Sequence, residues 1–253
     1  MKKILALLLS IALSLSMLML VSCGEPEDGD TVETLNDMTP EELYAHCREK
    51  LQNATSYSIV ATQRIKMTYQ GEKITTNQKV TNKVDGDNYY TQIDSDSLMG
   101  TELDMEAWYV DGIMYINSAG TKIKGEFDQD AFMQEYMGTD PSESTLLNIP
   151  ESWFEDIVFE RDDDLWVLSF DISGEKYNEM LNNVGLGSAE IVGDVIYKLY
   201  FDDDGNIEKL VSEFDMDVSG ITARCDTESI ITIEDIDINA PADADSYQTT
   251  KLH

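Results

Sequence analysis

Few side chains in this sequence could act as nucleophiles or bases: its 253 residues hold three cysteines and two histidines, against fifty acids and seventeen lysines and arginines. His46 and Cys47 stand side by side. Neighbours on a helix point about 100° apart, so the two do not face each other as a nucleophile and its base must. His253 is the last residue. Cys47 and Cys225 could pair as a disulfide outside the cytoplasm or stand as two buried thiols, and spacing alone leaves both open. Two cysteines without clustered histidine do not make a structural zinc site. Asp202-Asp203-Asp204-Gly205 invites a calcium loop, but an EF-hand needs an oxygen ligand five residues before its glycine and Tyr200 stands there, so the run reads as a hairpin turn. Asp162-Asp163-Asp164 reads the same way. Among so many acids no pair is singled out for glycoside chemistry. The expectation is a protein with no catalytic residue, no metal ligand and no cofactor.

Whatever these residues do, a β-rich scaffold positions them. Thr39-Pro40-Glu41-Glu42 is a helix start: Thr39 can cap free N–H groups, Pro40 suits the first position, and the acids favour the positive end of the dipole. Leu43, Cys47 and Leu51, with Tyr44 beside them, form one apolar stripe ending near Ala54. From Ser56 the period drops to 2, with Tyr57, Ile59, Ala61, Ile65, Met67 and Tyr69 on one face. Gln70-Gly71-Glu72 and Asp85-Gly86-Asp87 turn this strand into two more over 73–84 and 88–94. Strands over 102–110, 113–118 and 121–126 continue the meander, and a helix is expected over 128–137. Strands at 156–161 and 165–172 follow, then a helix capped by Ser173 and ended by Gly185-Leu186-Gly187. The last strands, near 193–202, 206–219 and 221–235, read as an edge closing the meander. The sum is a mainly β, α+β chain of about eleven antiparallel strands.

The N-terminus points to export. Lys2 and Lys3 precede an apolar run from Ile4 to Leu20, a signal-peptide pattern that is short for the ~20 residues a bilayer requires. It ends in Leu20-Val21-Ser22-Cys23, which resembles a bacterial lipobox. That resemblance implies diacylglycerol on the Cys23 thiol, cleavage before it, and anchoring on the extracytoplasmic face of the cell membrane. Two acyl chains, at about 0.8 kcal/mol per buried CH₂, hold where one would not. Residues 1–22 are then a signal peptide, 23–38 the lipidated cysteine with an acidic flexible tether, and 39–247 one domain. Losing Lys2 and Lys3 takes the formal charge from −33 to about −35. Such a charge argues against nucleic acid as a partner and against docking on anionic headgroups through protein charge. The membrane partner is therefore met through the diacylglycerol on Cys23.

The order of elements resembles that of the LolA/LppX-like lipoproteins, and the lipobox, the acidic tether, the Thr-Pro-Glu-Glu helix start, the Tyr57-Ser58-Ile59 strand opening and the Ile238-Asn239-Ala240-Pro241 ending resemble those of a Gram-positive member. The resemblance implies a single strongly curved antiparallel sheet, an incomplete barrel, with helices packed on its concave side. It also implies a space between sheet and helices that holds lipid acyl chains, and a carrier role for lipids or lipoproteins. The basic cavity residue of one such carrier has no counterpart identified in this sequence.

Met67, Met105, Met114, Met133, Met137, Met180 and Met216 fall on strand or helix faces. Methionine's flexible, polarizable side chain suits an adaptable apolar cavity and equally an ordinary core. The resemblance favours the cavity, lined by those methionines with Phe132, Tyr177, Leu181 and Phe214. The competing expectation is an interaction or sensor module of the cell envelope with a filled core.

Overall fold

The structure, a computed structural model, describes residue 35 and residues 38–98, 101–127, 149–183, 189–218 and 220–251. The leader, Cys23, most of the tether and the helix expected over 128–137 lie outside the described residues.

Helix α1 spans Pro40–Gln52 and begins as its sequence requires. The Glu42 N–H donates to Thr39 Oγ1 at 3.3 Å and the Thr39 N–H donates to the Glu42 carboxylate at 2.8 Å, which closes a capping box. Leu43, Tyr44 and Cys47 are buried along its stripe.

Twelve strands make one open, curled sheet. They are β1 Ser56–Tyr69, β2 Glu72–Asp85, β3 Asn88–Leu98, β4 Thr101–Val110, β5 Ile113–Ser118, β6 Thr121–Glu126, β7 Glu155–Asp162, β8 Leu165–Ser173, β9 Ala189–Phe201, β10 Ile207–Val218, β11 Ile221–Ile233 and β12 Gln248–Thr249. Helix α2, Gly174–Asn183, lies between β8 and β9. The order across the sheet is β12-β6-β5-β4-β3-β2-β1-β11-β10-β9-β8-β7. Every pairing is antiparallel except β12 with β6. The expected fold class is therefore the one observed.

Tight hairpins set the registers of the first meander. Gln70-Gly71, Asp111-Gly112 and Ala119-Gly120 each place two successive residues at positive φ, as two-residue turns that follow the strand twist demand.

Three expectations change. The last strands do not close an edge: β11 pairs with β1 in the middle of the sheet, Tyr57 opposite Ile233 through Met67 opposite Ala223, so two meanders join at their ends. Strand β9 starts at Ala189 rather than near 193, because Gly193, at φ +78°, sits at a bulge inside the strand and not before it. A twelfth strand appears because the C-terminal segment crosses to the far edge, where the Thr250 N–H donates to the Lys124 carbonyl at 2.8 Å. That strap starts from the Ile236 N–H on Ser56 Oγ (2.9 Å) and ends with Tyr247 edge-on to Trp108 and Tyr115, held by the Lys122–Asp243 pair.

At the opposite edge β7 carries Glu155, Asp156, Glu160, Arg161 and Asp162, and its ladder slips between Glu155 and Val158. Charges and a bulge guard an open edge against pairing with another chain.

Candidate functional site: the inner face of the sheet

Alternation sends every second residue inward, and register lines these residues up in rows across the strands. The inward residues of β1 run Tyr57, Ile59, Ala61, Gln63, Ile65 and Met67. No described residue paired in these rows, from β3 through β1 to β10, carries a charge, although the chain as a whole has a formal charge of −33.

Apolar residues on this face fall into two groups. The large cluster joins α1 (Leu43, Tyr44, Cys47) and α2 (Tyr177) to β8, β9, β10 and the ends of β1. Within it Phe154 stacks on Phe170 with ring centroids 4.0 Å apart, and Tyr44 meets both rings edge-on. The small cluster is a single row: Ala61, Val80 and Ile93, with Met105 half-buried beside them.

Polar rows border that small cluster on both sides. On one side Asn82 lies opposite Thr91, whose hydroxyl donates to Asn82 Oδ1 at 2.9 Å. On the other, five neighbouring strands each contribute one uncharged polar residue: Ser212, Thr227, Gln63, Gln78 and Ser95. Gln63 Nε2 donates to Thr227 Oγ1 at 3.4 Å. Ser229 interrupts the apolar row on β11, and the row resumes at Leu210 of β10 in the large cluster. Gln63, Thr76, Gln78, Asn82, Thr91 and Ser229 are all buried. The belt's next neighbour on β9 is Tyr197, opposite Ser212. Its hydroxyl lies 2.9 Å from that of Tyr177, and burial pushes the Tyr177 phenol up to about 12 and Tyr197 upward as well.

Two further contacts fix α2 on the sheet. The Asn178 side chain accepts from the Ile191 N–H at 2.7 Å and donates to the Ile191 carbonyl at 3.0 Å. Gly174 passes so close to β9 that a Cβ there would sit 2.2 Å from the Gly193 carbonyl oxygen. Beside this helix an open groove is lined by acids, Glu175, Glu179, Glu190 and Asp194 among them. Burial first, then Asp156, Asp194 and Glu155, hold the nearby Asp171 carboxyl above the usual range.

The residues expected to line a cavity do not converge on one point. Met67, Phe214, Met216 and Tyr177 join the large cluster, and Cys225 Sγ contacts Met216 Sδ at 3.7 Å. Met105 flanks the small one. Met114 is buried on β5 under the Tyr89 hydroxyl, 3.8 Å from its sulfur. Phe132, Met133 and Met137, like the side chains of Met180 and Leu181, lie outside the described residues, as do Leu20, Val21, Ser22 and Cys23. Cys47 and Cys225 are two free, buried thiols, each pushed up to about 12 by burial. His46 packs over the Gly205 backbone rather than beside a nucleophile.

In the Asp202–Asn206 turn, Asp202 Oδ1 accepts from the N–H groups of Asp204 and Asn206, both at 2.9 Å, and Lys50 of α1 donates to the Asp204 carbonyl. Among the described residues no group of three or more His, Cys, Asp or Glu is placed to hold a metal ion, and no helix is long and apolar enough to cross a membrane.

An open, curled antiparallel sheet whose inner rows from β3 to β10 carry no charge defines the architectural class. Residues 39–190 match a family of unknown function, DUF6612, and the chain belongs to that family. No curated protein matches it by sequence. Among solved structures it is similar to LprF from Mycobacterium bovis, at 11% identity over 80% of this chain and 97% of that one, with a TM-score of 0.42. It is also similar to the LolA superfamily protein NE2245 from Nitrosomonas europaea, at 10% identity over 79% and 96%, TM-score 0.28. A third is an outer membrane lipoprotein-sorting protein domain from Vibrio parahaemolyticus, at 12% identity over 73% and 88%, TM-score 0.27. At these scores no residue role carries over.

Sequence reasoning named Met67, Met105, Phe214 and Met216 on this face and missed Val80, Ile93 and the polar belt. Its signal was present: Gln63 and Gln78 occupy inward positions of strands whose other inward residues are mostly apolar.

Proposed function

We propose that this chain is a bacterial lipoprotein, anchored through diacylglycerol on Cys23 at the extracytoplasmic face of the cell membrane, which binds an apolar ligand against the inner face of its sheet without transforming it. A lipid or an acyl chain fits best. The observation that carries this reading is the divided inner face. Buried apolar residues of a domain usually gather into one contiguous core, with smaller satellite clusters under long loops. Here Ala61, Val80 and Ile93 stand apart from the large cluster, fenced by polar rows on an uncharged surface. Such a lining, apolar with a few placed polar groups, is what small-molecule sites present.

The test is native mass spectrometry with lipid extraction on the mature lipoprotein purified from a lipid-containing host. A stoichiometric lipid beyond the anchor supports the carrier reading. A mass accounted for by the chain and its anchor, with no uptake of added lipid, overturns it in favour of an interaction module. Cys23→Ala tests the anchor separately: the protein leaves the membrane fraction, and full retention there would sink that part of the proposal.

A further inference from the structure

Buried polar side chains in folded proteins are bonded in the large majority of cases. On the inner face of this sheet, among the described residues, four are not: Thr76 Oγ1, Gln78 Nε2, Asn82 Nδ2 and Ser229 Oγ have no hydrogen-bond partner there. All four residues are more than nine-tenths buried, Ser229 completely. They are neighbours in the register. Asn82 and Gln78 flank Val80 on β2, Thr76 follows on the same face, and Ser229 lies opposite Ala61 across β11. Asn82, Gln78 and Ser229 border the small apolar row and Thr76 lies one row beyond Gln78, so one patch joins a greasy strip to unspent amide donors and hydroxyls.

We propose that this patch is the polar subsite of the ligand site, and that it recognises the ester or hydroxyl oxygens of an uncharged acyl lipid. The inference rests on the carrier reading above and names the ligand class. The two amide nitrogens can only donate, so the group they meet must accept. Acyl-ester carbonyls and glycerol hydroxyls do so while their chains lie on Ala61, Val80, Ile93 and Met105. Charge decides the class. No lysine or arginine occurs in the inward rows of the described strands around the patch, so a phosphate buried there would lose its hydration without compensation. An anionic headgroup is therefore excluded from the patch and a neutral one is admitted.

The experiment uses the mature lipoprotein, anchor included, in detergent micelles, titrated with dioleoylglycerol, with phosphatidylglycerol of the same chains, and with squalene, and read by native mass spectrometry. Dioleoylglycerol binds at least tenfold more tightly than phosphatidylglycerol. Gln78→Met and Asn82→Leu each weaken dioleoylglycerol by roughly three- to tenfold, the worth of one hydrogen bond, and leave squalene unchanged. Thermal unfolding supplies an independent readout. A group bonded to nothing in the protein can be replaced by an apolar one at no cost, so the Tm of Gln78→Met without lipid stays level or rises. Phosphatidylglycerol preferred over dioleoylglycerol, or no effect of either variant while all three probes bind, overturns the polar subsite and leaves the carrier reading intact. A sharp fall in Tm also overturns it, because the amide would then be spent inside the fold or on ordered water. If none of the three probes binds, the carrier reading itself fails.

Discussion

The Tyr177–Tyr197 hydroxyl pair offers a clean measure of what holds α2 on the sheet. Both rings are buried, the oxygens are 2.9 Å apart, and one residue sits on the helix while the other stands on β9 at the end of the polar belt. Tyr177→Phe removes one hydroxyl and leaves the other in an apolar setting with its partner gone. The cost of an orphaned buried hydroxyl is about 1–3 kcal/mol, and Tyr197→Phe falls in the same range for the same reason. The double variant removes both groups and leaves two rings of nearly unchanged shape, so its stability returns close to that of the parent. In a domain of this size about 1 kcal/mol moves Tm by roughly 2–4 °C, so each single variant melts some 2–12 °C lower. Urea unfolding of the four proteins closes the double-mutant cycle. A double variant as unstable as the sum of the singles would refute the reasoning, since the hydroxyls would then be spent on separate partners.

Burial that raises Cys47 and Cys225 to about 12 leaves roughly one thiol in ten thousand ionised at pH 8, so a thiol-specific dye should label neither until the protein unfolds; prompt labelling of the native chain would contradict their burial. Tyr247→Ala removes the ring packed edge-on to Trp108 and Tyr115 and should free the C-terminal strap, seen as faster hydrogen exchange at the Thr250 N–H and proteolysis between 236 and 251. Unchanged protection there would mean that the Lys122–Asp243 pair and the β12 bonds suffice. Self-repulsion from a formal charge of −33 should make Tm rise with sodium chloride, and a fall would show that outer-face ion pairs such as those of Arg224 with Glu213, Asp215 and Asp226 outweigh it. Asp203 is held below the usual carboxylate range by hydrogen bonds from Arg161 and Trp166, and Asp243 by one from Lys122. Their folded forms bind protons less readily than the unfolded chain, so their contribution is present above pH ~4 and lost as pH falls through the lowered values. Asp203→Asn should flatten the acid limb of the stability curve, and an unchanged limb would place the acid sensitivity elsewhere.

Local physics made most of the scaffold legible from the sequence. The capping box at Thr39, the Gln70-Gly71 and Asp111-Gly112 turns and the period-2 runs of β1 and β2 depend on residues within a few positions of one another, and each forms as its chemistry dictates. The start of β9 differs from its expected place because a glycine inside a strand and one before it look alike until a partner strand supplies the register. Which strands meet was decided only in three dimensions. The pairing of β1 with β11 closes a loop of more than 150 residues, and no local pattern encodes that choice. The candidate site depended on it most. Gln63, Gln78 and Ser95 are fifteen and seventeen residues apart in sequence, while Ser212 and Thr227 come from the other end of the chain, so only the common register of five strands turns scattered inward polar residues into one belt. Alternation determined that each of them points inward; hydrogen bonding between distant strands determined that they point at the same place.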